Sequence, residues 1–224
     1  MKRRRRFSAL VVVLALLSLL VATCSRQQPG ADLVEVKQVV PDIVVDLKYA
    51  TTDNFTGQVL YDVPRCFLRR ATAERLARVQ ARLRKLGLGL KIWDGYRPRS
   101  VQWKMWKLVP DPRYVADPRR GSRHNRGAAV DVTLVDSTGR ELEMPTGFDD
   151  FTEKAHRDYQ GASATALRNR ALLEQVMTAE GFVPLPTEWW HFDDPDWRKY
   201  DLLDVPLSEL ARRADARRSR QKDR

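Results

Sequence analysis

His124-Asn125-Arg126-Gly127-Ala128-Ala129-Val130-Asp131-Val132-Thr133-Leu134 is the run on which the reading of this chain turns. Ala128, Val130, Val132 and Leu134 alternate with Ala129, Asp131 and Thr133, the two-residue period of a β-strand. Asp131 is therefore expected to point away from the apolar set. Gly127 lets the backbone bend, which puts His124 on the loop entering the strand. A second run, Thr187-Glu188-Trp189-Trp190-His191, ends on another histidine, and the chain has only three. His124, Asp131 and His191 together offer two imidazoles and one carboxylate. Zinc accepts such a set, with its fourth position left for water. Glu188 is a spare carboxylate that can take a proton from that water. A lone histidine is usually an ordinary core residue, but here two of three stand beside carboxylates. His156 lacks such a context and is expected at the surface, outside the ligand set.

Working outward, Leu33 to Leu47 is rich in Val and Ile and should contain strand. Tyr49 to Gly57 reads as a polar loop. Leu76, Val79, Leu83 and Leu86 recur at helical spacing, with Gly87 where a C-terminal cap belongs. Leu88, Leu90 and Ile92 alternate as a strand that Asp94-Gly95-Tyr96-Arg97-Pro98 breaks. Pro98 suits the first turn of a helix running to about Leu108. Asp111 to Gly121 is a loop rich in Pro and Arg. A second amphipathic helix is predicted from Thr165 to Glu180, stopped by Gly181, and a last strand from Glu188 to Phe192. On a flat strand, residues three apart face opposite sides, so a site shared by Glu188 and His191 requires a bulge or bend. The alternation of strand and helix with short connections predicts an α+β fold with a small, largely antiparallel sheet.

The 224 residues suggest one domain with extensions, large enough to bury a core without disulfides. The formal charge of +11 sits at the ends: five basic residues from Lys2 to Arg6, and seven basic against two acidic residues in Ala211 to Arg224. The body is then close to neutral, which argues against a nucleic-acid-binding face. The tail 211–224 is expected to be disordered, since no large apolar residue follows Leu210. Basic residues, an apolar run from Ala9 to Val21 and small residues up to Cys24 stand in the order of an export signal. Val21-Ala22-Thr23-Cys24 resembles a bacterial lipoprotein box, so Cys24 is a candidate lipidation site and the N-terminus a candidate membrane attachment. The expected organisation is an export signal over 1–24, a linker over 25–32, a catalytic domain over 33–210 and a basic tail over 211–224. Cys66 is the one other cysteine. It reads as a small buried side chain, because Pro64-Arg65-Cys66-Phe67-Leu68 offers no base to activate it.

Four runs together carry a family resemblance. Ser122-x-His124-x-x-Gly127-x-Ala129-x-Asp131 with Glu188-x-x-His191 resembles the zinc D-alanyl-D-alanine peptidases. Asp46 to Ala50 with Asn54 to Gly57, and Trp93 to Pro98, are similar to the dipeptidase, VanX-type branch of that family. The likeness spans roughly Val34 to Leu207. It implies an α+β metallopeptidase of the D-Ala-D-Ala peptidase/hedgehog type with one zinc per chain on His124, Asp131 and His191. It implies Glu188 as catalytic base and then acid, and Arg97 beside the scissile carbonyl, steadying the oxyanion. It also implies that Tyr49, Ser122 and Asp149 hold a small D,D-dipeptide, Asp149 meeting its free amine. Read without the resemblance, Arg97 is a surface or salt-bridged arginine and Ser122 a turn residue.

The expected activity is zinc-dependent hydrolysis of D-alanyl-D-alanine or related D,D-dipeptides in cell-wall peptide metabolism, outside the cytoplasm, in the periplasm or cell envelope. A D,D-carboxypeptidase acting on longer peptidoglycan peptides is the alternative within the fold. A noncatalytic zinc-containing wall-binding module is the alternative outside enzymes, disfavoured by the presence of Glu188.

Overall fold

The computed structural model describes residues 32–222. The export signal, Cys24 and all but the last residue of the linker lie outside them. Seven strands and five helices follow in the order β1 (Leu33–Glu35), α1 (Val36–Val39), β2 (Val44–Val45), β3 (Phe67–Arg69), α2 (Arg70–Arg84), β4 (Leu88–Asp94), α3 (Arg99–Leu108), β5 (Ala129–Asp136), α4 (Ala164–Ala179), β6 (Val183–Leu185), β7 (Glu188–Asp193) and α5 (Leu207–Lys222). The main sheet has the order β2-β4-β5-β7-β6, and β1 pairs with β3 in a separate two-stranded sheet. Only β2 and β4 run parallel; every other pair is antiparallel. The α+β expectation therefore holds, and the strands and helices read from periodicity fall within a few residues of their expected limits.

The elements form for local reasons. Leu76, Val79 and Leu83 put one face of α2 into the core, and Gly87 follows it at φ +70°, a left-handed conformation that favours glycine. Ser163 caps α4 by accepting a hydrogen bond from the Ala166 amide. β5 lies at the centre of the sheet and is buried on both faces. Its Val130, Val132 and Leu134 join the core, and Asp131 projects from the opposite face. Gly127 sits at φ +68°, and a Cβ there would stand 2.5 Å from Leu33 Cδ2. The bend before β5 thus needs glycine for both conformation and space.

Two irregularities flank Asp131. In β4, Ile92 pairs with Val132 but Asp94 pairs with Asp131, so Trp93 is an extra residue. In β7, Pro184 of β6 pairs with Phe192 while Leu185 pairs with Glu188, so β6 skips Trp189, Trp190 and His191. This is the bulge that the three-residue spacing of Glu188 and His191 requires. Trp189 and Trp190 are both fully buried, and their rings meet edge to face with centroids 5.5 Å apart.

The expectation of a disordered tail is corrected. Residues from Ala211 onward continue α5, which extends to Lys222. Leu207, Leu210, Ala211 and Ala214 form a buried stripe at helical spacing. The alanines make this stripe easy to miss, yet small residues let the helix approach β1 closely. Arg65 clamps the helix through Asp215 at 2.9 Å and reaches Glu35 at 2.7 Å, and Arg218 also reaches Glu35. These partners lie up to 183 positions apart, so no local pattern announces them.

If α5 is docked as described, Leu210→Ala should destabilise the protein by about 2–5 kcal/mol in urea unfolding. Arg212→Ala, on the exposed face, should change it by less than about 0.5 kcal/mol. Equal, negligible effects would return the segment to a solvated tail.

Candidate active site

His124 begins a single 3₁₀ turn (His124–Arg126) that Gly127 ends. The turn is held from both sides. Ser122 Oγ accepts from the His124 amide at 3.2 Å, and the Ser122 amide donates to Asn125 Oδ1 at 2.8 Å. Asn125, fully buried, donates through Nδ2 to the Arg97 carbonyl at 2.9 Å. Asp131 and His191 are directly opposed across β5 and β7, so their side chains leave the sheet on the same face.

His124, Asp131 and His191 converge, each offering a donor atom, with all three atoms within 4.8 Å of one another and all three residues buried. Each imidazole has one nitrogen committed elsewhere. His124 Nδ1 lies 2.8 Å from the Gly95 carbonyl, which leaves Nε2 facing the cluster. His191 Nε2 lies 3.0 Å from Asp193 Oδ1, which leaves Nδ1 facing it, 2.9 Å from Asp131 Oδ1. Outer hydrogen bonds of this kind orient metal-binding histidines. The electrostatics agree. Burial opposes a charged His191, yet Asp131 and Asp193 outweigh it and push the ring up to about 10. Burial likewise opposes the Asp131 carboxylate, but His124 and His191 hold it far below the ordinary range. The negative field that favours a proton on these rings also favours a divalent cation, which competes with that proton for the same nitrogen. The three residues therefore fit a metal ion.

Glu188 stands at the start of β7, its Oε2 3.9 Å from His191 Nδ1 and its side chain partly exposed. Burial raises its pKa above the usual carboxylate value, and the histidines and Arg97 oppose that rise only in part. Arg97 is buried. Its Nε and Nη2 donate to Asp94 Oδ2 at 3.0 and 2.6 Å, and Nη1 donates to Gln102 Oε1 at 2.9 Å. The guanidinium carbon stands 5.0 Å from the centre of the Tyr49 ring. Three of its five N–H groups are thereby used, and two remain for a substrate oxygen.

These residues line one cleft of about 640 Å³, together with Tyr49, Ser122 and Asp149. Asp149 is held at φ +57°, the one non-glycine residue at positive φ among those described. Tyr49 Oη donates to its Oδ1 at 3.0 Å. Burial raises its pKa to about 7; Arg97 opposes this and Asp131 adds to it. A carboxylate kept in a strained backbone and an unfavourable field is poised for a cation. Asp150, its neighbour, instead accepts from the Thr152 amide and hydroxyl at the surface. The 111–121 loop forms part of the cleft wall, and Tyr114 stacks on Phe151 at 4.9 Å.

The structure thus brings every expected site residue among 32–222 into one cleft. His156 lies outside the donor group, and Cys66 is buried beside Gly95 with its thiol pushed up by burial. Sequence reasoning missed Asp193 and Gln102, and took Asp94 only for a turn residue. Asp193 had a signal, since it shares a strand face with His191 two residues earlier. Gln102 had none.

A buried two-histidine, one-carboxylate donor set with a free carboxylate beside it, on an α+β body, defines a metallopeptidase site. The chain belongs to the D-Ala-D-Ala dipeptidase family of M15 peptidases, whose pattern matches residues 30–210. It is 42% identical over 172 residues to the D-alanyl-D-alanine dipeptidase of Escherichia coli (strain K12), covering 77% of this chain and 89% of that one. The D-alanyl-D-alanine dipeptidase of Enterococcus faecalis is 34% identical over 73% of this chain and 88% of its own. That of Streptomyces coelicolor is 36% identical over 72% and 90%.

The raised Asp149 pKa has a consequence for stability. A carboxyl whose pKa rises on folding costs stability above the folded value, and the cost vanishes below the unfolded value. Asp149→Asn should therefore raise the unfolding midpoint of the metal-free protein at pH 8. The gain should shrink as pH falls through about 7 and be gone near pH 4. Thermal unfolding of both proteins across that range checks it; no gain at pH 8 would mean that the folded site does not disfavour the charge.

Proposed function

We propose that this enzyme hydrolyses free D-alanyl-D-alanine and closely related D,D-dipeptides at a single zinc ion held by His124, Asp131 and His191. The observation that carries the reading is Asp149: a carboxylate in the same cleft as the donor set and Glu188, bonded to Tyr49 and kept close to neutrality by burial. The names of the relatives support the substrate class. The segment from Lys2 to Cys24 supports export to the periplasm or cell envelope, with membrane attachment through the N-terminus, and hence a role in cell-wall peptide metabolism. Cys24→Ala separates the two forms of attachment: it releases a lipid-anchored protein and leaves a simply cleaved one unchanged.

A bound zinc ion supplies Lewis acidity, polarising a carbonyl and making water more acidic. The protein supplies the rest. Glu188, beside the donors and with a raised pKa, accepts the proton of the attacking water and then delivers it to the leaving amine. Arg97, fixed by Asp94 and Gln102, turns its two spare N–H groups to the negative charge that develops on the carbonyl oxygen. Asp149 and Tyr49 meet the substrate ammonium, and an acylated amine loses that charge-assisted bond.

Metal analysis should give one zinc per chain, lost in His191→Ala and retained in His156→Ala. Full occupancy after loss of His191 would overturn the ligand set. Glu188→Ala should keep zinc and fold but lose roughly 10²–10⁴-fold in kcat; near-normal turnover removes Glu188 from the chemistry.

N-acetylation of D-Ala-D-Ala should sharply lower kcat/KM, and Asp149→Asn should narrow the gap between blocked and free substrate. Equal hydrolysis of both by the wild type would favour the D,D-carboxypeptidase reading instead.

A further inference from the structure

We infer that Arg157 is a positioning residue for the reaction: its guanidinium fills the gap that the bulge opens between β6 and β7, and so fixes Glu188 relative to His191. The inference rests on the role of Glu188 in the reading above, and it concerns a side chain that does not line the cleft.

The gap follows from register. Val183 pairs with Asp193 and Pro184 with Phe192, but the next pair is Leu185 with Glu188. Trp189, Trp190 and His191 therefore face no partner residue on β6. A strand carbonyl that the ladder leaves over needs another donor when it is buried. One side chain supplies two such donors here. Arg157 Nε donates to the Leu185 carbonyl at 2.8 Å, and Nη2 donates to the His191 carbonyl at 2.9 Å. The Arg157 amide donates to the Pro186 carbonyl at 2.9 Å, so its backbone is also fixed to the turn between the strands. The guanidinium carbon stands 4.3 Å from the centre of the buried Phe192 ring. Nη1 pairs with Glu174 of α4 at 3.1 Å.

These contacts bracket the segment that carries the chemistry. Leu185 is the strand partner of Glu188, and His191 ends the bulge. A guanidinium holds its N–H groups in one rigid plane and can span two strands as a ladder pair does; an ammonium is a point donor on a flexible stem. Glu188 Oε2 lies 3.9 Å from His191 Nδ1, too far for a hydrogen bond, so the course of β7 sets its place more than that contact does. The His191 ring has its own supports in Asp131 and Asp193. Loss of Arg157 should therefore displace Glu188 before it costs the metal. Tyr49, Arg97 and Asp149 stand on other segments, so the effect should fall on kcat and leave KM little changed.

The test compares wild type, Arg157→Ala, Arg157→Lys and Glu174→Gln on D-Ala-D-Ala, with kcat expressed per bound zinc. Arg157→Ala should lose about 10–10²-fold in kcat, the cost of a displacement of roughly 1 Å. Free guanidinium ion, well below the concentration that unfolds the protein, should restore part of that loss and leave wild type unchanged. Arg157→Lys should fall between the two. Glu174→Gln keeps both carbonyl bonds and should keep kcat. Amide hydrogen exchange of residues 188–193 in the metal-free protein gives a readout independent of turnover: exchange should quicken in Arg157→Ala and slow again with guanidinium. Should Arg157→Ala fail to fold, Arg157→Lys carries the same comparisons. Unchanged kcat per zinc would overturn the inference even with a lowered unfolding midpoint, since Arg157 would then serve stability alone. So would an equal loss in Glu174→Gln, which would assign the effect to the tether on α4. Failure of wild type to cleave D-Ala-D-Ala would overturn the dipeptidase reading separately, and unchanged exchange in β7 would then overturn the role of Arg157 by itself.

Discussion

The opposition of Asp131 and His191 across two adjacent strands is the constraint on which the site depends. A cross-strand pair puts two side chains on one face within reach of each other at no cost in loop order. Everything else adjusts to that pair. The extra residue at Trp93 lets β4 end beside it and delivers the Gly95 carbonyl to His124. The offset in β7 turns Glu188 to the same side as His191. Bulges concentrate near active sites because they re-aim side chains while leaving the sheet intact.

A second layer of buried charge holds this arrangement. Asp94, fully buried, accepts from Arg97, Tyr61 and the Gly95 amide. A buried ion pair of this kind is weak as a source of net stability, because desolvation opposes it. Its use is orientation, since Arg97 has few other places to go. Gln102 completes the arrangement. It is fully buried, accepts from Arg97, and donates to the Ala116 carbonyl at 2.9 Å. One amide thereby ties the guanidinium to the loop that walls the cleft.

The cleft is built from unlike parts. Its base is sheet, rigid and set by register. Its rim is loop, closed by aromatic contacts: Tyr49 with Phe55 and Phe148, and Phe55 with Phe151. Tyr114 extends that wall by stacking on Phe151. A rigid base suits a metal donor set, which tolerates little displacement, and shaped loops suit recognition of a short ligand.

The α+β class, the principal strands and helices, and the identity of the donors are all legible in the amino-acid order. Those features rest on periods of 2 and 3.6 residues and on scarce residue types in fixed local spacing. It also demanded the β7 bulge, because Glu188 and His191 cannot otherwise share a face. Tertiary structure alone decided what closes over long separations. Tyr49 meets Asp149 across 100 positions, Arg65 meets Asp215 across 150, and Gln102 spans Arg97 and Ala116 from inside a helix. The docking of α5 belongs to the same class, since alanines become an apolar stripe only once a surface is present to receive them. Local pattern records what a segment buries. Partners brought together by folding leave no mark in either segment, which is why the metal-donor residues could be read early while Gln102, which helps to orient Arg97, could not.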